Sequence, residues 1–345
     1  MIGDNPSLGY FVQSPAYDVA FSRAVGLYPD ALRNITRQTV YKPGVFSCSE
    51  AAEIIPFVAV QISNILDEHR FDFNVLISPG CSLEVMTLGD FAREWNVPLL
   101  ATIAIDESLT NAQRYPTVVT FPSSDQITLV RAIMFLLDRF SWTTVSLICG
   151  DQNLNVSDVG VYYLAACRGI FTVLGGQKDK YNLHVQHFDP KVKEGDLDAY
   201  SSVLRNAATQ SRDVHGFCYF QLNDITISAL EVMTILLKVI RDLSPLEMGM
   251  QNGMTFRQLF LNRKFNPFSR PVYIGPKGMR ICDVHISKFN VTSGLMEVSE
   301  EYFSVAGNSV KTYALSTVWR GRNGPPVNRP FCGYTGELCL GGVGD

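Results

Sequence analysis

Along the first half of the chain, stretches with an apolar residue every three or four positions alternate with short unbroken apolar runs, the pattern of helices laid on buried strands. Ser14-Pro15 reads as a helix start, because Ser accepts free N–H groups and Pro suits the first helical position. Val19, Ala20, Ala24 and Leu27 would form its inner side. A second helical stretch carries Ile55, Val58, Ile62, Ile65 and Leu66, with Pro56 near its first turn. Residues 73–77 read as a buried strand, Ser78-Pro-Gly-Cys-Ser82 as a turn, and Leu83, Met86, Phe91 and Trp95 as the apolar positions of a helix. Residues 97–103 close a strand-helix-strand unit, which predicts parallel pairing.

The pattern restarts after the apolar run 115–121. Ser123 and Gln126 have the spacing of a capping box, and Ile127, Val130, Met134 and Leu137 give the next helix an apolar face. Strands are predicted at 143–148, 183–188 and 214–220, with helices at 159–174 and 197–208 between them. Two strand-helix blocks in tandem predict an α/β protein with two doubly wound parallel-sheet lobes facing each other across a cleft. A long apolar helix follows at 225–243. From residue 272 the period becomes that of strands, with Pro276-Lys-Gly278 as a hairpin turn and a further strand at 296–303. Ligands of open α/β sheets sit beyond the carboxyl ends of strands, which nominates Ser78, Gly80, Ser82, Thr102, Tyr115, Thr117 and Asp151 as cleft residues.

Composition narrows the function. Of 345 residues, 46% are hydrophobic and 18% charged, enough for packed cores and too apolar for disorder. The net charge of −4 argues against a protein that neutralises nucleic-acid phosphates. Apolar runs such as Ile133-Met-Phe-Leu-Leu137 fall far short of the roughly 20 residues that a spanning helix needs. The start Met1-Ile-Gly-Asp-Asn-Pro lacks the basic and apolar blocks of a secretory signal, so the expectation is a cytosolic chain or one that has lost its original amino terminus.

Candidate chemistry is sparse. No G-x-S-x-G, H-E-x-x-H or carboxylate pair marks catalysis, and the expectation is that this chain is not an enzyme. His184 and His187 lie three apart on a strand and so face opposite sides, which disfavours a metal. Tyr162, Tyr163, Phe171, Tyr181 and Trp142 read as packing residues. The eight cysteines contain no C-x-x-C pair; an even count suits disulfides, with about 105 full pairings open. Asn34-Ile-Thr, Asn155-Val-Ser and Asn290-Val-Thr are glycosylation sequons, which together with the cysteines favour a secreted reading over buried cytosolic thiols.

Several motifs taken together carry a resemblance: Asn5-Pro-Ser-Leu-Gly-Tyr10, Cys48-Ser-Glu-Ala-Ala52, Ser78-Pro-Gly-Cys-Ser82, Tyr115-Pro-Thr117, Phe140-Ser-Trp-Thr-Thr-Val145, Gly275-Pro-Lys-Gly-Met-Arg-Ile-Cys-Asp283 and Pro325-Pro-Val-Asn-Arg-Pro-Phe-Cys-Gly-Tyr334. The chain resembles the ligand-binding ectodomain of receptor guanylyl cyclases, the natriuretic-peptide-receptor-like family, and its nematode branch most. The resemblance implies the bilobed periplasmic-binding-protein type I fold. It places a first lobe at 1–119 plus 225–270, a second at 120–224 plus 271–331, and a juxtamembrane stub at 332–345. It implies bridges Cys48–Cys81, Cys332–Cys339 and Cys167–Cys218, with Cys149 as a competing partner for the last, and it leaves Cys282 unassigned. It also implies a chloride ion held by the backbone N–H groups of Gly80 and Cys81 at a helix start. The family usually has Gly where this chain has Ser78, which alters that turn.

The family normally has about one more strand-helix-strand passage between Cys218 and Ile225, on the order of 50 residues. The second lobe is therefore expected to be incomplete, as in a fragmentary or wrongly predicted gene product. The resemblance implies an extracellular sensor at the plasma membrane, a homodimer that binds a peptide or small molecule and signals to a cytoplasmic cyclase by rearranging. The alternative is a soluble bilobed binding protein or decoy receptor.

Overall fold

Three short strands buried on both faces organise the first part of the chain, and their residues alternate between two cores. The computed structural model describes residues 3–5, 9–78, 80–122, 126–150, 158–188, 197–210, 222–249, 251–267, 269–290, 295–303, 309–312, 327–329, 331 and 338. In chain order come α1 (Tyr10–Leu27), α2 (Pro29–Leu32), α3 (Cys48–Glu68), β1 (Leu76–Ser78), α4 (Ser82–Trp95), β2 (Leu99–Ala101) and β3 (Val118–Thr120). Then follow α5 (Gln126–Arg139), β4 (Thr144–Gly150), α6 (Asp158–Gly175), β5 (Asn182–Phe188) and α7 (Leu197–Ala208). After these lie α8 (Leu222–Asp242), α9 (Pro245–Gly249), α10 (Gly253–Gln258), β6 (Arg263–Phe265), β7 (Val272–Ile274) and β8 (Arg280–Ile281). The last elements are β9 (Val284–Asn290), β10 (Leu295–Phe303) and β11 (Ser309–Thr312).

Two compact units divide this order. Unit 1 comprises Met1–Asp125 and Phe220–Cys282; unit 2 comprises Gln126–Tyr219 and Asp283–Asp345. Unit 1 contains the parallel sheet β1-β2-β3, in which Leu76 pairs with Leu99 and Leu99 with Val118. Leu99, Ala101 and Val118 face a core of Ile55, Val58, Ile62, Val85, Leu88 and Ala92 from α3 and α4. Leu100, Val119 and Phe121 face the opposite core, where Val232, Ile235, Leu236 and Val239 of α8 meet Phe256 and Phe260. This period-two split is what a parallel sheet covered by helices on both sides demands. Ala16, Tyr17, Ala20 and Ala24 lay α1 on Ala229, Met233 and Leu237 of α8.

The antiparallel sheet β6-β7-β8 also belongs to unit 1, because Thr120 bridges Met279 and the Thr120 N–H donates to Gly278 O at 2.9 Å. Residues 271–282, assigned from sequence to the second lobe, therefore lie in unit 1, and the chain passes to unit 2 at residue 283. In unit 2, β4 and β5 pair in parallel and carry Val145, Leu147 and Leu183 against Val130, Leu137, Ile170 and Leu174 of α5 and α6. Strands β9, β10 and β11 form an antiparallel sheet with an irregularity between Val298 and Glu300.

Helix starts differ most from the sequence reading. Helix α1 begins at Tyr10, so Pro15 lies inside it, and Val19 and Leu27 are exposed rather than inward. Helix α3 begins at Cys48, with Pro56 in its interior. Ser47 and Glu50 form a capping box that satisfies the first N–H groups, and it sets the start eight residues before Pro56. Ser123 and the strand expected at 214–220 lie outside the described residues.

A surface pair in unit 2 gives a pH test. Asp138 accepts from Lys180 Nζ at 2.8 Å and Tyr181 Oη at 2.7 Å, and these bonds hold its carboxyl below the usual carboxylate range. A depressed folded value contributes stability above the unfolded value, and that contribution disappears as pH falls through the folded one. Asp138 is half exposed, so screening limits the pair to about 0.2–1 kcal/mol. Asp138→Asn should lower the urea midpoint near neutral pH, and the gap from wild type should close in acid; a gap independent of pH would refute the assignment.

Candidate functional site

The carboxyl ends of β1 and β2 gather most of the nominated residues. Strand β1 ends at Ser78, the chain turns through Gly80 and Cys81, and α4 starts at Ser82. Cys81 is the N-cap of α4 in extended conformation, with no side-chain cap. Cys48, the first residue of α3, is bonded to Cys81 across Cα atoms 5.8 Å apart. The bridge thus ties together two helix starts and fixes the turn after β1 to the α3 cap.

Around this turn the hydroxyl groups are used internally. The Gly80 N–H donates to Ser78 Oγ at 3.2 Å, and Ser78 Oγ donates to Glu84 Oε1 at 3.3 Å. The Thr102 N–H donates to Ser78 O at 3.1 Å. Thr102 Oγ1 donates to Gln13 Oε1 at 3.2 Å and accepts from Tyr17 Oη at 3.4 Å. Ser82 Oγ accepts from the Ile105 and Asp106 N–H groups at 3.1 and 3.2 Å. Burial pushes the Tyr17 phenol pKa far up, so its proton stays in place. Burial likewise raises the Glu84 carboxyl, against an opposing hydrogen bond from Ser78.

Ser78, Gly80, Ser82 and Thr102 are therefore brought together, whereas Tyr115 and Thr117 are not. Both precede β3, and the Leu99 N–H donates to Thr117 O at 3.0 Å, which places them at the amino end of the sheet. The strand begins only at Val118, and Tyr115 is a fully buried packing residue beside Gly89. Asp151 lies outside the described residues. Ser78 and Thr102 are buried at 2% and 1% exposure, and their hydroxyl groups brace the turn.

Gln13, Tyr17 and Glu84 were not nominated from sequence. Glu84 shares its helix face with Leu88 and Ala92 at spacings of four, and a carboxylate on an apolar face was the available signal. Gln13 precedes the helix start expected at Ser14, and the actual start at Tyr10 brings it into α1.

The second bridge corrects an expectation. Cys167 of α6 is bonded to Cys149 of β4, with Cα atoms 6.1 Å apart, and not to Cys218. Helix α6 packs directly on β4, which puts the competing partner within bonding reach. Cys218, Cys332 and Cys339 lie outside the described residues. Cys282 is buried, and its thiol donates to Pro122 O at 3.4 Å. His184 and His187 lie on β5, where His184 Nε2 meets the Asn182 amide at 3.1 Å. Asn34 lies in an exposed turn; Asn155 and the Asn290 side chain lie outside the described residues.

The chloride implied at Gly80 and Cys81 does not fit these residues. The Gly80 N–H is already engaged, and the Glu84 carboxyl lies so close over Gly80 that a Cβ placed there would collide with it. No helix among the described residues is long and apolar enough to cross a membrane.

The parallel sheet with helices on both faces, split into two units, is the frame of the periplasmic-binding-protein-like fold. Residues 55–244, more than half of the chain, match the receptor family ligand binding region, and the chain belongs to that family. Such regions lie outside the cell and bind ligands without catalysing a reaction of their own.

Proposed function

We propose that this chain is the extracellular sensor region of a single-pass receptor guanylyl cyclase. The match to the receptor family ligand binding region carries the reading, and the Cys48–Cys81 and Cys149–Cys167 bridges support it by suiting an oxidising compartment. In this reading two copies pair, and an extracellular peptide or small molecule binds one arrangement of the pair more tightly than another. The population shifts by that difference in affinity, and the change in orientation passes through the segment after residue 331 to a membrane helix and a cytoplasmic cyclase that makes cyclic GMP.

The transcript downstream of residue 345 tests the reading. An apolar stretch of about 20 residues followed by Lys or Arg, and then a cyclase region, is the expected result. A stop codon directly after residue 345 would replace it with a soluble binding protein or decoy. Asn34, exposed in unit 1, is the acceptor that should carry glycan on secretion. Asn34→Gln should remove one glycan-sized mass step from the secreted protein, and an unchanged mass would show that this sequon is unused.

A further inference from the structure

Helix α4 begins without a side-chain cap, and its first-turn N–H groups carry the positive end of the helix dipole. Such a start attracts an anion, and the resemblance supplies one from solvent. Here the third helical residue, Glu84, is 1% exposed and folds back over the turn. Its Oε1 accepts from Ser78 Oγ at 3.3 Å, which itself accepts from the Gly80 N–H at 3.2 Å, so the backbone donor reaches the carboxyl through one hydroxyl. Its Oε2 is buried with no hydrogen-bond partner among the described residues, and the carboxyl occupies the volume directly over Gly80. The bare Gly80 leaves room for this approach, since a Cβ there would meet the Glu84 carboxyl and make it swing away.

We propose that Glu84 is a built-in plug of the anion-holding turn at residues 78–82, so that this region folds and holds its shape without chloride. Two departures from the resemblance act together. Ser78 supplies the hydroxyl that consumes the Gly80 N–H, and Glu84 fills the space a halide would take. Either protonation state of the carboxyl fills the same volume. The family reading enters only in naming chloride as the displaced ion, and the test below is indifferent to whether a cyclase follows.

Thermal unfolding of the full disulfide-bonded chain, with sodium chloride exchanged for sodium gluconate at constant ionic strength, reads the plug directly. The wild-type melting temperature should be the same in both salts, and chloride-NMR line broadening should show no site that bromide displaces. Glu84→Ala empties the volume over Gly80, and its melting temperature should rise saturably with chloride or bromide. Where Glu84→Ala does not fold, Glu84→Ser vacates the same space and is read the same way. A saturable chloride response of the wild-type protein overturns the proposal. A folded Glu84→Ala or Glu84→Ser protein that ignores chloride overturns it as well, because the carboxyl would then not stand in an anion's place.

Discussion

Replacing Cys48 and Cys81 together by alanine should destabilise unit 1 by about 3 to 4 kcal/mol. The bridge closes a separation of 33 residues, and in the chain-entropy picture that constraint on the unfolded chain is worth this much. Both cysteines are buried at 6% exposure at the heads of α3 and α4, and alanine avoids leaving an unpaired hydroxyl there. The loss should concentrate in the two helices that the bridge joins. Their shared core of Ile55, Val58, Ile62, Val85 and Leu88 covers one face of the parallel sheet. Urea-dependent hydrogen exchange of α3 and α4 amides should show protection lost at lower denaturant, with β4 and β5 of unit 2 unaffected. The corresponding change at Cys149 and Cys167 should cost slightly less, since only 18 residues separate them. Equal protection of α3 and α4 in the bridged and unbridged proteins would remove the bridge from any role in shaping the turn after β1.

Particular residues show how far the sequence could be read. Strand β1 covers the last two residues of the predicted run 73–77 and ends one residue beyond it, and β2 lies inside the run predicted for it, because a strand buried on both faces has no polar alternation to blur it. Helices α6 and α7 likewise fall within a residue of their predicted ends. The starts of α1 and α3 were misread for one reason. Proline suits a first turn, yet Pro15 and Pro56 sit inside helices whose real starts lie at Tyr10 and at the Ser47–Glu50 capping box. Of the site, the turn at Ser78 to Ser82 was legible, since strand ends and glycine turns leave a pattern. The contacts of Thr102 with Gln13 and Tyr17 cross more than 80 residues of chain, and no local pattern encodes them. The Cys149–Cys167 bridge likewise depends on α6 packing on β4, which no local pattern encodes.

The same kind of long-range contact explains why residues 271–282 stay in unit 1, and it leads to the second large effect. Glu231 of α8 is fully buried, and its Oε2 accepts from Arg280 of β8 at 2.6 Å, with Arg280 only 4% exposed. Its Oε1 accepts from Ser269 Oγ at 2.6 Å and from Arg270 Nε at 3.2 Å. One carboxylate on the long helix thus holds three donors, two from the loop between β6 and β7 and one from β8. Removing either member of a buried pair leaves the other charge in a poorly solvating interior, which typically costs 3–5 kcal/mol, roughly the scale of a domain's whole stability. Glu231→Met and Arg280→Met should therefore each lower stability by about 3–5 kcal/mol. The double variant Glu231→Met with Arg280→Met removes both charges and fills much of the space, so it should lose far less than the sum of the single losses. A double-mutant cycle on urea unfolding reads this as a coupling of about 2 kcal/mol or more. Additive losses would mean that the pair does not act as a unit, and that the attachment of β6, β7 and β8 to unit 1 rests on the Thr120–Met279 bridge and the apolar core around Phe260 and Ile274 instead.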